Sequence, residues 1–385
     1  MKSVYVDNNA TTRAAPEVVE AMLPYFSDLY GNPSSMHYFG GQVETKVVEA
    51  REKVARLLNC EPSEIIFTSC GTESDSTAIK GTLGSYPDKK HIVTSRVEHP
   101  AVLNLCRHLS KNGYELTEIP VDKKGDINLE DVEKAITDNT AVVSIMYANN
   151  ETGVIFPIEE IGKIVKSKGV VFHCDAVQAV AKVPLDMSRS TIDLLSISGH
   201  KLHAPKGIGA LYIRKGTKLT PFIMGGHQER GRRAGTENVP YIIGLGKAAE
   251  LASTHMDDEN TRVKALRDRL EKEIVKLCSD TQINGDCENR LPNTTNISFE
   301  FVEGESILMM LSDKGIAASS GSACTSGSLE PSHVLRAMGI PFTFVHGSLR
   351  LSLSTYNNDE DVDYIIEHLP PVIKRLREIS PFGKS

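Results

Sequence analysis

The sequence predicts an α/β protein with a large, mostly parallel sheet followed by a smaller α+β part. Through the first two-thirds of the 385 residues, short β-rich runs alternate with helical stretches. This alternation is typical of parallel sheets whose strands are joined by crossover helices. Most of the β-rich runs are apolar throughout, which indicates strands covered on both faces. From about residue 241 onward, charged helical stretches and shorter strand-like runs replace the pattern.

Six short apolar runs are predicted as strands of the large sheet. They span residues 64–68, 91–94, 141–146, 169–173, 193–198 and 209–213. The helical stretches of the same part span residues 39–58, 100–111, 129–136 and 158–166. The C-terminal part has a long amphipathic helix through residues 261–277, strand-like runs at 296–301 and 348–353, and a closing helix at 359–379. We expect an interruption of that last helix near Pro370 and Pro371, because proline lacks the amide hydrogen that a helix interior needs.

The chain length predicts two or three domains, at about 150 residues per domain. We expect residues 14–257 to form the large α/β domain and residues 1–13 together with 258–385 to form the small α+β domain. No Gly/Ser-rich linker separates the two parts. The domains are therefore expected to pack together, with a site at their junction.

Composition excludes several classes of protein. The 43 Lys and Arg residues against 50 Asp and Glu residues give a net charge of −7, which argues against nucleic acid as a partner. No apolar run approaches the ~18 residues of a membrane helix, and Asp7 and Asn8 precede any signal-peptide core. Seven cysteines, an odd number, are typical of a reducing compartment. We therefore expect a cytoplasmic protein with no membrane partner.

Polar side chains follow the predicted strands, where ligands bind in open α/β sheets. Residues 69–74 open a helix and predict a phosphate cradle, while His99, Asn150, Asp175 and Lys201 follow other strands. Each alone has a plain structural explanation, such as a turn cap or a surface lysine. Together they place an amine, an acid, an imidazole and a cradle at one sheet edge, the set that pyridoxal phosphate requires.

Eight short motifs occur in order along the chain, at residues 7–12, 31–35, 72–74, 98–102, 149–151, 175–178, 198–201 and 320–324. Through these motifs the chain resembles the NifS/IscS-type cysteine desulfurases from residue 5 to about 379. This family has fold type I of the pyridoxal-phosphate-dependent transferases, the aspartate aminotransferase-like fold. The segment 227–238 and the short C-terminal end look more like the nitrogen-fixation branch, NifS, than the housekeeping branch.

The resemblance implies that the cofactor is pyridoxal 5'-phosphate, bound by the large domain. Lys201 would hold it covalently and move the proton at the substrate Cα. Asp175 would keep the ring nitrogen protonated, His99 would stack on the ring and assist proton transfer, and Gln178 would bond the ring hydroxyl. The remaining cofactor contacts, mostly to the phosphate, are implied for Gly71, Thr72, Ser198, Gly199 and His200. The resemblance also implies a homodimer in which Thr236 of one subunit reaches the phosphate bound by the other.

The resemblance also implies the substrate contacts. Asn150 would lie beside the ring and near the substrate. Arg350 would bind the α-carboxylate of L-cysteine as a two-pronged fork, a geometry that lysine cannot supply.

Cys324 lies within residues 317–328, a run of twelve small residues. In isolation such a cysteine is merely tolerated, but beside the implied cofactor site we interpret it as the nucleophile. It would take the substrate sulfur as a persulfide, leave L-alanine, and pass the sulfur to an iron–sulfur scaffold protein. Any metal contact would be a transient iron–sulfur interaction through that persulfide. The other six cysteines are interpreted as structural.

Three alternatives stay open at the level of sequence. A selenocysteine lyase would share the fold and cofactor, and an aminotransferase would share all but the need for Cys324. A non-catalytic iron–sulfur scaffold would require three or four clustered cysteine ligands, and the cysteine spacings offer no such cluster.

Overall fold

The computed structural model describes residues 2–320 and 331–380, and a seven-stranded sheet organises this part of the chain. The strands are β1 (Val4–Tyr5), β2 (Ile65–Thr68), β3 (His91–Ser95), β4 (Glu115–Ile119), β5 (Thr140–Ser144), β6 (Val171–Asp175), β7 (Leu194–Ser198), β8 (Gly209–Ile213), β9 (Thr281–Ile283), β10 (Thr294–Phe299), β11 (Ile316–Ala317) and β12 (Ser348–Ser352). The helices are α1 (Pro16–Met22), α2 (Pro24–Ser27), α3 (Tyr38–Leu58), α4 (Gly71–Ser85), α5 (Pro100–Ser110), α6 (Leu129–Ala135), α7 (Ile158–Ser167), α8 (Val239–Asp258), α9 (Lys264–Leu277), α10 (Gly304–Ser312), α11 (His333–Ala337), α12 (Phe342–Val345) and α13 (Asp359–Ile379).

The large sheet has the strand order β2-β8-β7-β6-β5-β3-β4. All neighbouring pairs are parallel except those of β8, which runs antiparallel to β2 and to β7. Every residue of β3, β5, β6 and β7 is buried, because layers of helices and loops cover both faces. The predicted α/β fold with a mostly parallel sheet is therefore confirmed.

Strand β4 is the one element of this sheet that the apolar runs did not predict. It lies at the sheet edge and pairs only with β3, and it begins with an exposed glutamate. An edge strand with one uncovered face does not need a continuous apolar run. Its sequence therefore resembles that of a loop.

A second, smaller core is built from both ends of the chain. Strands β12, β10 and β9 form an antiparallel sheet, and β1 pairs in parallel with β11. Val6, Leu270, Phe299, Leu351 and Ile365 are among the residues buried in this core. The N-terminal strand thus packs with C-terminal elements, although some 310 residues separate β1 from β11.

The main core also takes in residues from late in the chain. Leu335, Met338 and Val345, from the helices that follow residue 331, are buried in the same cluster as the large sheet. This part of the chain was expected to belong to the small domain. The buried apolar side chains of α11 therefore belong to the main core.

Two helical predictions need correction. Helix α13 continues through Pro370 and Pro371 without the expected interruption, because its apolar face, including Leu369 and Val372, is buried in the smaller core. Tertiary packing compensates for the two missing hydrogen bonds. The long helical stretch begins earlier than predicted, at α8, and a π-helical turn (Glu259–Val263) joins α8 to α9. None of the helices in the described part of the chain combines the length and apolar character that a membrane span requires.

Candidate active site

The predicted site residues lie at, or shortly after, the carboxyl ends of five strands of the large sheet. The segment 69–74 follows β2, His99 follows β3, Asn150 follows β5, Asp175 ends β6, and Lys201 follows β7. Strands β3, β5, β6 and β7 are successive neighbours in the sheet, and β2 lies beyond β7 on the other side of β8. Parallel strands end at the same edge, so the fold gathers these residues there.

Lys201 ends a single 3-10 turn (Gly199–Lys201) directly after β7. Its Nζ donates to the carbonyl oxygens of Asn9 and Ala10, at 2.5 and 2.7 Å. Gln178 Nε2 donates to the same Asn9 oxygen at 2.9 Å. The buried Oε1 of Gln178 has no hydrogen-bond partner among the described residues, so it is an acceptor that a ligand hydroxyl can satisfy.

Asp175 is the last residue of β6, and its side chain is buried. One carboxylate oxygen accepts a hydrogen bond from the Val177 amide at 3.0 Å. Burial raises the pKa of Asp175, while the Val177 amide and the Lys201 amine act in the opposite direction. A cationic group placed against this carboxyl would stabilise its ionised form, as a protonated ring nitrogen does.

The start of α4 has the geometry of an anion-binding site. The N-cap residue Cys70 makes no side-chain capping bond, so amide groups and the positive end of the helix dipole are available to a ligand. A Cβ on Gly71 would lie 2.9 Å from Val177 Cγ2 and 3.2 Å from Ser198 Cβ. Only glycine therefore lets the start of α4 approach the end of β7. The free amide groups at the start of α4 are hydrogen-bond donors that fit a phosphate.

The other predicted cradle residues lie near this point. Thr72 is in the first turn of α4 and exposed, whereas Ser198 is buried at the end of β7. Gly199 packs tightly, because a Cβ there would lie 2.7 Å from Ile208 Cγ2. His200 Nδ1 is hydrogen-bonded to Thr11 Oγ1 at 3.1 Å. Burial, together with nearby Lys201 and other cations, lowers the pKa of His200 to about 4.

His99 caps the start of α5 with its ring. Nδ1 accepts a hydrogen bond from the Ala101 amide at 3.2 Å, so the hydrogen of the neutral ring is on Nε2. Burial and, to a smaller extent, the charges of Lys201 and His333 lower the pKa of His99 to about 4. The imidazole is therefore neutral near pH 7 and presents one N–H donor.

Arg350 joins the smaller sheet to this site. It lies on β12 and is buried, and its Nη1 donates to the Asn150 carbonyl at 2.9 Å. Its Nη2 donates to Asp7 Oδ1 at 2.8 Å, and its buried Nε has no partner among the described residues. The Asn150 carbonyl also accepts from Asn9 Nδ2 at 3.2 Å. The structure thus brings Arg350 and Asn150 together.

Asp7 and Asn9 contact several of the predicted site residues, although sequence reasoning quoted them in a motif and gave them no role. Asn9 connects Lys201, Gln178 and Asn150 through one carbonyl and one side-chain amide. The available signal is the Asp-Asn-Asn run placed directly after a short β-rich segment. Polar side chains that become buried on folding need hydrogen-bond partners, but the sequence pattern does not reveal which residues those partners are.

Two predicted residues are not brought to the site by the described chain. Thr236 is exposed, in the loop before α8. Cys324 lies outside the described residues. No group of three or more His, Cys, Asp or Glu side chains within residues 2–320 and 331–380 could hold a metal ion.

The remaining six cysteines differ in their surroundings. Burial raises the thiol pKa of four of them, to about 12 for Cys60 and about 11 for Cys278, and also for Cys106 and Cys174. A raised thiol pKa makes a poor nucleophile, because the thiolate is the reactive form. Cys70 is partly exposed and Cys287 is exposed.

Comparison with known proteins gives a consistent picture. The family model described as aminotransferase class-V matches residues 4–365. A cysteine desulfurase of Trichormus azollae is 59% identical over 382 residues, which cover 99% of this chain and 96% of that protein. The cysteine desulfurase NifS of Azotobacter vinelandii is 57% identical over 383 residues, covering 99% and 95%. A solved NifS-like protein superimposes with a TM-score of 0.92 at 40% identity, covering 97% of this chain and all of that one.

Proposed function

Because the chain belongs to the class-V aminotransferase family, and within it to the cysteine desulfurases, we propose how its site removes sulfur from L-cysteine. The enzyme depends on pyridoxal phosphate. The products are L-alanine and a persulfide on Cys324. The observation that carries the assignment of roles is the convergence of Lys201 and Gln178 on the Asn9 carbonyl. Gln178 lies three residues after buried Asp175, and Lys201 follows β7, the strand that pairs with the strand of Asp175.

The residues at the strand ends fit the cofactor by their chemistry. Lys201 would hold it, Asp175 would face the ring nitrogen, and the unpartnered Gln178 Oε1 would accept from the ring hydroxyl. The amides at the start of α4, with Ser198 and His200, would hold the phosphate. When bound, the cofactor supplies an electron sink for the pair left after the substrate Cα–H bond breaks.

Arg350 would bind the substrate carboxylate. Its guanidinium is already oriented by Asp7 and by the Asn150 carbonyl, so little side-chain entropy is lost when the substrate arrives. Arg350 lies on the smaller sheet, whereas Asn150 lies in the loop that follows β5 of the large sheet. Substrate recognition therefore requires both sheets to be in place.

Lys201 would move the proton at the substrate Cα. Two carbonyl acceptors, from Asn9 and Ala10, restrict where its amine points. His99, neutral with its hydrogen on Nε2, would donate a hydrogen bond and does not add a positive charge that would compete with Lys201.

Cys324 would perform the sulfur step. Its thiolate attacks the substrate sulfur, the S–S bond forms, and the Cβ–S bond breaks with its electron pair passing to the carbon skeleton. Protonation of that carbon skeleton completes alanine. An ordinary thiol has a pKa of about 8.5, so nearby cationic groups would be needed to lower the pKa of Cys324 and make it a thiolate near neutral pH.

The function is tested by giving L-cysteine to the holoenzyme and measuring alanine and protein-bound sulfur together. We expect equal amounts of the two in the first turnover, without any keto acid. The same chain stripped of cofactor is the control and should form neither product. Alanine formation that depends on an added keto acid would instead indicate an aminotransferase, and a strong preference for selenocysteine would indicate a lyase.

The sulfur acceptor is proposed to be an iron–sulfur scaffold protein, which serves nitrogenase in the nitrogen-fixation branch. The 57% identity to NifS of Azotobacter vinelandii supports this branch. All six cysteines among the described residues are free thiols. This supports a reducing compartment such as the cytoplasm.

A homodimer is proposed from an exposed apolar face. Leu23, Phe26 and Tyr30 are 59%, 58% and 67% exposed, and all lie at the N-terminal helices α1 and α2 or just after them. Large exposed apolar side chains that are near each other mark interaction surfaces. Thr236, also exposed, would reach the partner's phosphate site from this dimer.

Activity is expected to follow the dimer fraction when the holoenzyme is diluted. Each site would need Thr236 of the partner subunit, so a monomer should turn over cysteine poorly. Sedimentation and alanine production, measured over the same dilution series down to nanomolar protein, give the two curves. A fully active monomer would contradict the proposal.

A further inference from the structure

Glu73 lies in the first turn of α4, among the amides that are proposed to hold the phosphate. Its Oε2 accepts a hydrogen bond from the Ser69 amide at 2.7 Å, so the carboxylate reaches back past the residues that begin the helix. The amides of Gly71, Thr72 and Glu73 have no acceptor inside the helix, because the first amides of any helix have none. A carboxylate at this point therefore competes with the phosphate for the positive end of the helix dipole.

Arg233 pairs with this carboxylate. Its Nε donates to Glu73 Oε1 at 2.9 Å and its Nη2 donates to Oε2 at 3.3 Å, the two-pronged geometry of strong guanidinium–carboxylate pairs. The side chain of Glu73 is 8% exposed and that of Arg233 is 21% exposed, so water screens this pair less than a pair on the open surface. Burial acts to raise the pKa of Glu73, but the hydrogen bonds from Arg233 and Ser69 outweigh it and lower the pKa. Glu73 is therefore ionised near pH 7.

A second ion pair fixes the loop that carries Arg233. Arg51 donates to both carboxylate oxygens of Glu229, at 2.7 and 2.9 Å, and both residues are buried. Glu229 and Arg230 have φ angles of 48° and 59°, in the left-handed region that non-glycine residues seldom adopt. Arg230 Nη2 donates to the Ile65 carbonyl, at the start of β2, at 2.7 Å. These contacts hold a strained loop against β2, the strand that leads into α4.

The neighbouring arginines do not share the role of Arg233. Arg230 donates to the Ile65 carbonyl, and Arg232 Nη1 donates to the Ser63 carbonyl at 3.4 Å. Of these three arginines, Arg233 alone forms an ion pair within residues 2–320 and 331–380. Its guanidinium edge is directed at Glu73, so its charge is placed where that carboxylate would otherwise act on the phosphate.

We propose that Arg233 is a positioning residue for the cofactor phosphate and acts by neutralising Glu73. Glu73 fixes the start of α4 through the Ser69 amide, and Arg233 cancels the charge that would repel an anionic phosphate from the same helix turn. Arg233 needs no contact with the phosphate for this effect. The inference rests on the proposed function, because it requires the cofactor phosphate to lie at the start of α4. It gives a role within the chain's own site to the segment 227–238, of which the proposed function uses only Thr236.

The test measures how tightly the full-length protein holds its cofactor. Holoenzyme variants are dialysed against graded concentrations of pyridoxal phosphate, and the bound fraction is read from the cofactor absorbance. In Arg233→Gln we expect the Kd to rise roughly 10- to 100-fold, because like charges brought together away from water repel strongly. Arg233→Lys keeps the charge, so its Kd should stay within about threefold of the wild-type value.

A double variant separates charge cancellation from placement of the loop. Glu73→Gln keeps an acceptor for the Ser69 amide but removes the negative charge, so its Kd should be at or below the wild-type value. In Glu73→Gln/Arg233→Gln no charge needs to be cancelled, and the Kd should return to within about threefold of wild type, as coupled residues do in a double-mutant cycle. Pyridoxal, which lacks the phosphate, should bind Arg233→Gln and wild type equally.

The pair of Arg107 and Glu118 provides the matched control. It has the same two-pronged geometry, with distances of 2.6 and 2.8 Å, but Glu118 lies on β4, at the opposite edge of the sheet from β2. Arg107→Gln also removes one positive charge from an ion pair. We expect its Kd for pyridoxal phosphate to equal that of wild type.

Four results would overturn the inference. A wild-type Kd in Arg233→Gln would show that Glu73 does not oppose the phosphate. A double variant that binds as weakly as Arg233→Gln would show that Arg233 acts by placing the loop or by contacting the phosphate itself. A Kd above wild type in Glu73→Gln would reject charge repulsion even if Arg233→Gln failed to fold. Absence of pyridoxal phosphate binding by the wild-type chain would contradict the proposed function itself, and the role of Arg233 with it.

Discussion

Replacing Lys201 with alanine is expected to abolish turnover and to leave the cofactor without a covalent bond to the protein. Lys201 follows β7 in a single turn, and its amine is held at the sheet edge by the carbonyls of Asn9 and Ala10. The variant loses both the anchoring amine and the group that moves the Cα proton. Proton transfer alone contributes about 10²- to 10⁴-fold, so we expect kcat to fall by at least this amount.

The measurement is the mass of the protein after borohydride treatment, together with alanine production. Wild-type protein should gain the mass of the reduced cofactor, and Lys201→Ala should not. Lys206, exposed and five positions further along the same connection, is the matched control, and Lys206→Ala should behave as wild type. Retained covalent fixation in Lys201→Ala would assign the bond to another lysine.

Replacing Cys324 with serine is expected to separate the cofactor chemistry from the sulfur chemistry. Serine is nearly isosteric with cysteine, so the cofactor should bind normally. Exchange of the substrate Cα hydrogen should continue, because that step uses Lys201. Persulfide and alanine formation should be lost, because a serine hydroxyl is neutral near pH 7 and a poor nucleophile toward sulfur, whereas a thiol ionises with a pKa of about 8.5.

Cys287→Ser is the matched control for this prediction. Cys287 is an exposed free thiol in the described chain, so its loss would matter if any accessible thiol could accept the sulfur. We expect this variant to form alanine at the wild-type rate. Near-normal alanine formation by Cys324→Ser would reject the persulfide mechanism and favour elimination of sulfur without a protein nucleophile.

Local patterns predicted the main sheet well because its strands are buried. Five of the six strand predictions overlap the observed strands with bounds shifted by no more than two residues, and the sixth, β8, matches at both ends. A strand covered on both faces is apolar at most of its positions, and that composition is visible in a window of five residues. The edge strand β4 has no such requirement, so it gave no signal.

Prediction was less accurate where packing outweighs local preference. Pro370 and Pro371 indicated an interruption, but the buried apolar face of α13 keeps the helix continuous. The burial of α11 side chains in the main core was also not predicted, because residues 333–337 are too few to show a helical period that points to one core or the other.

The sequence by itself determined the fold class and the side chains that end each strand, because apolar periodicity and turn residues are local properties. Only the tertiary structure decided which distant residues meet. Lys201 bonds to a carbonyl 192 positions away, and Arg350 to an aspartate 343 positions away. Such contacts depend on how separate segments dock, and buried polar groups must be paired once they have docked. No local pattern records which partner is chosen, so the meeting of Asn9, Lys201 and Gln178 is visible only in the folded chain.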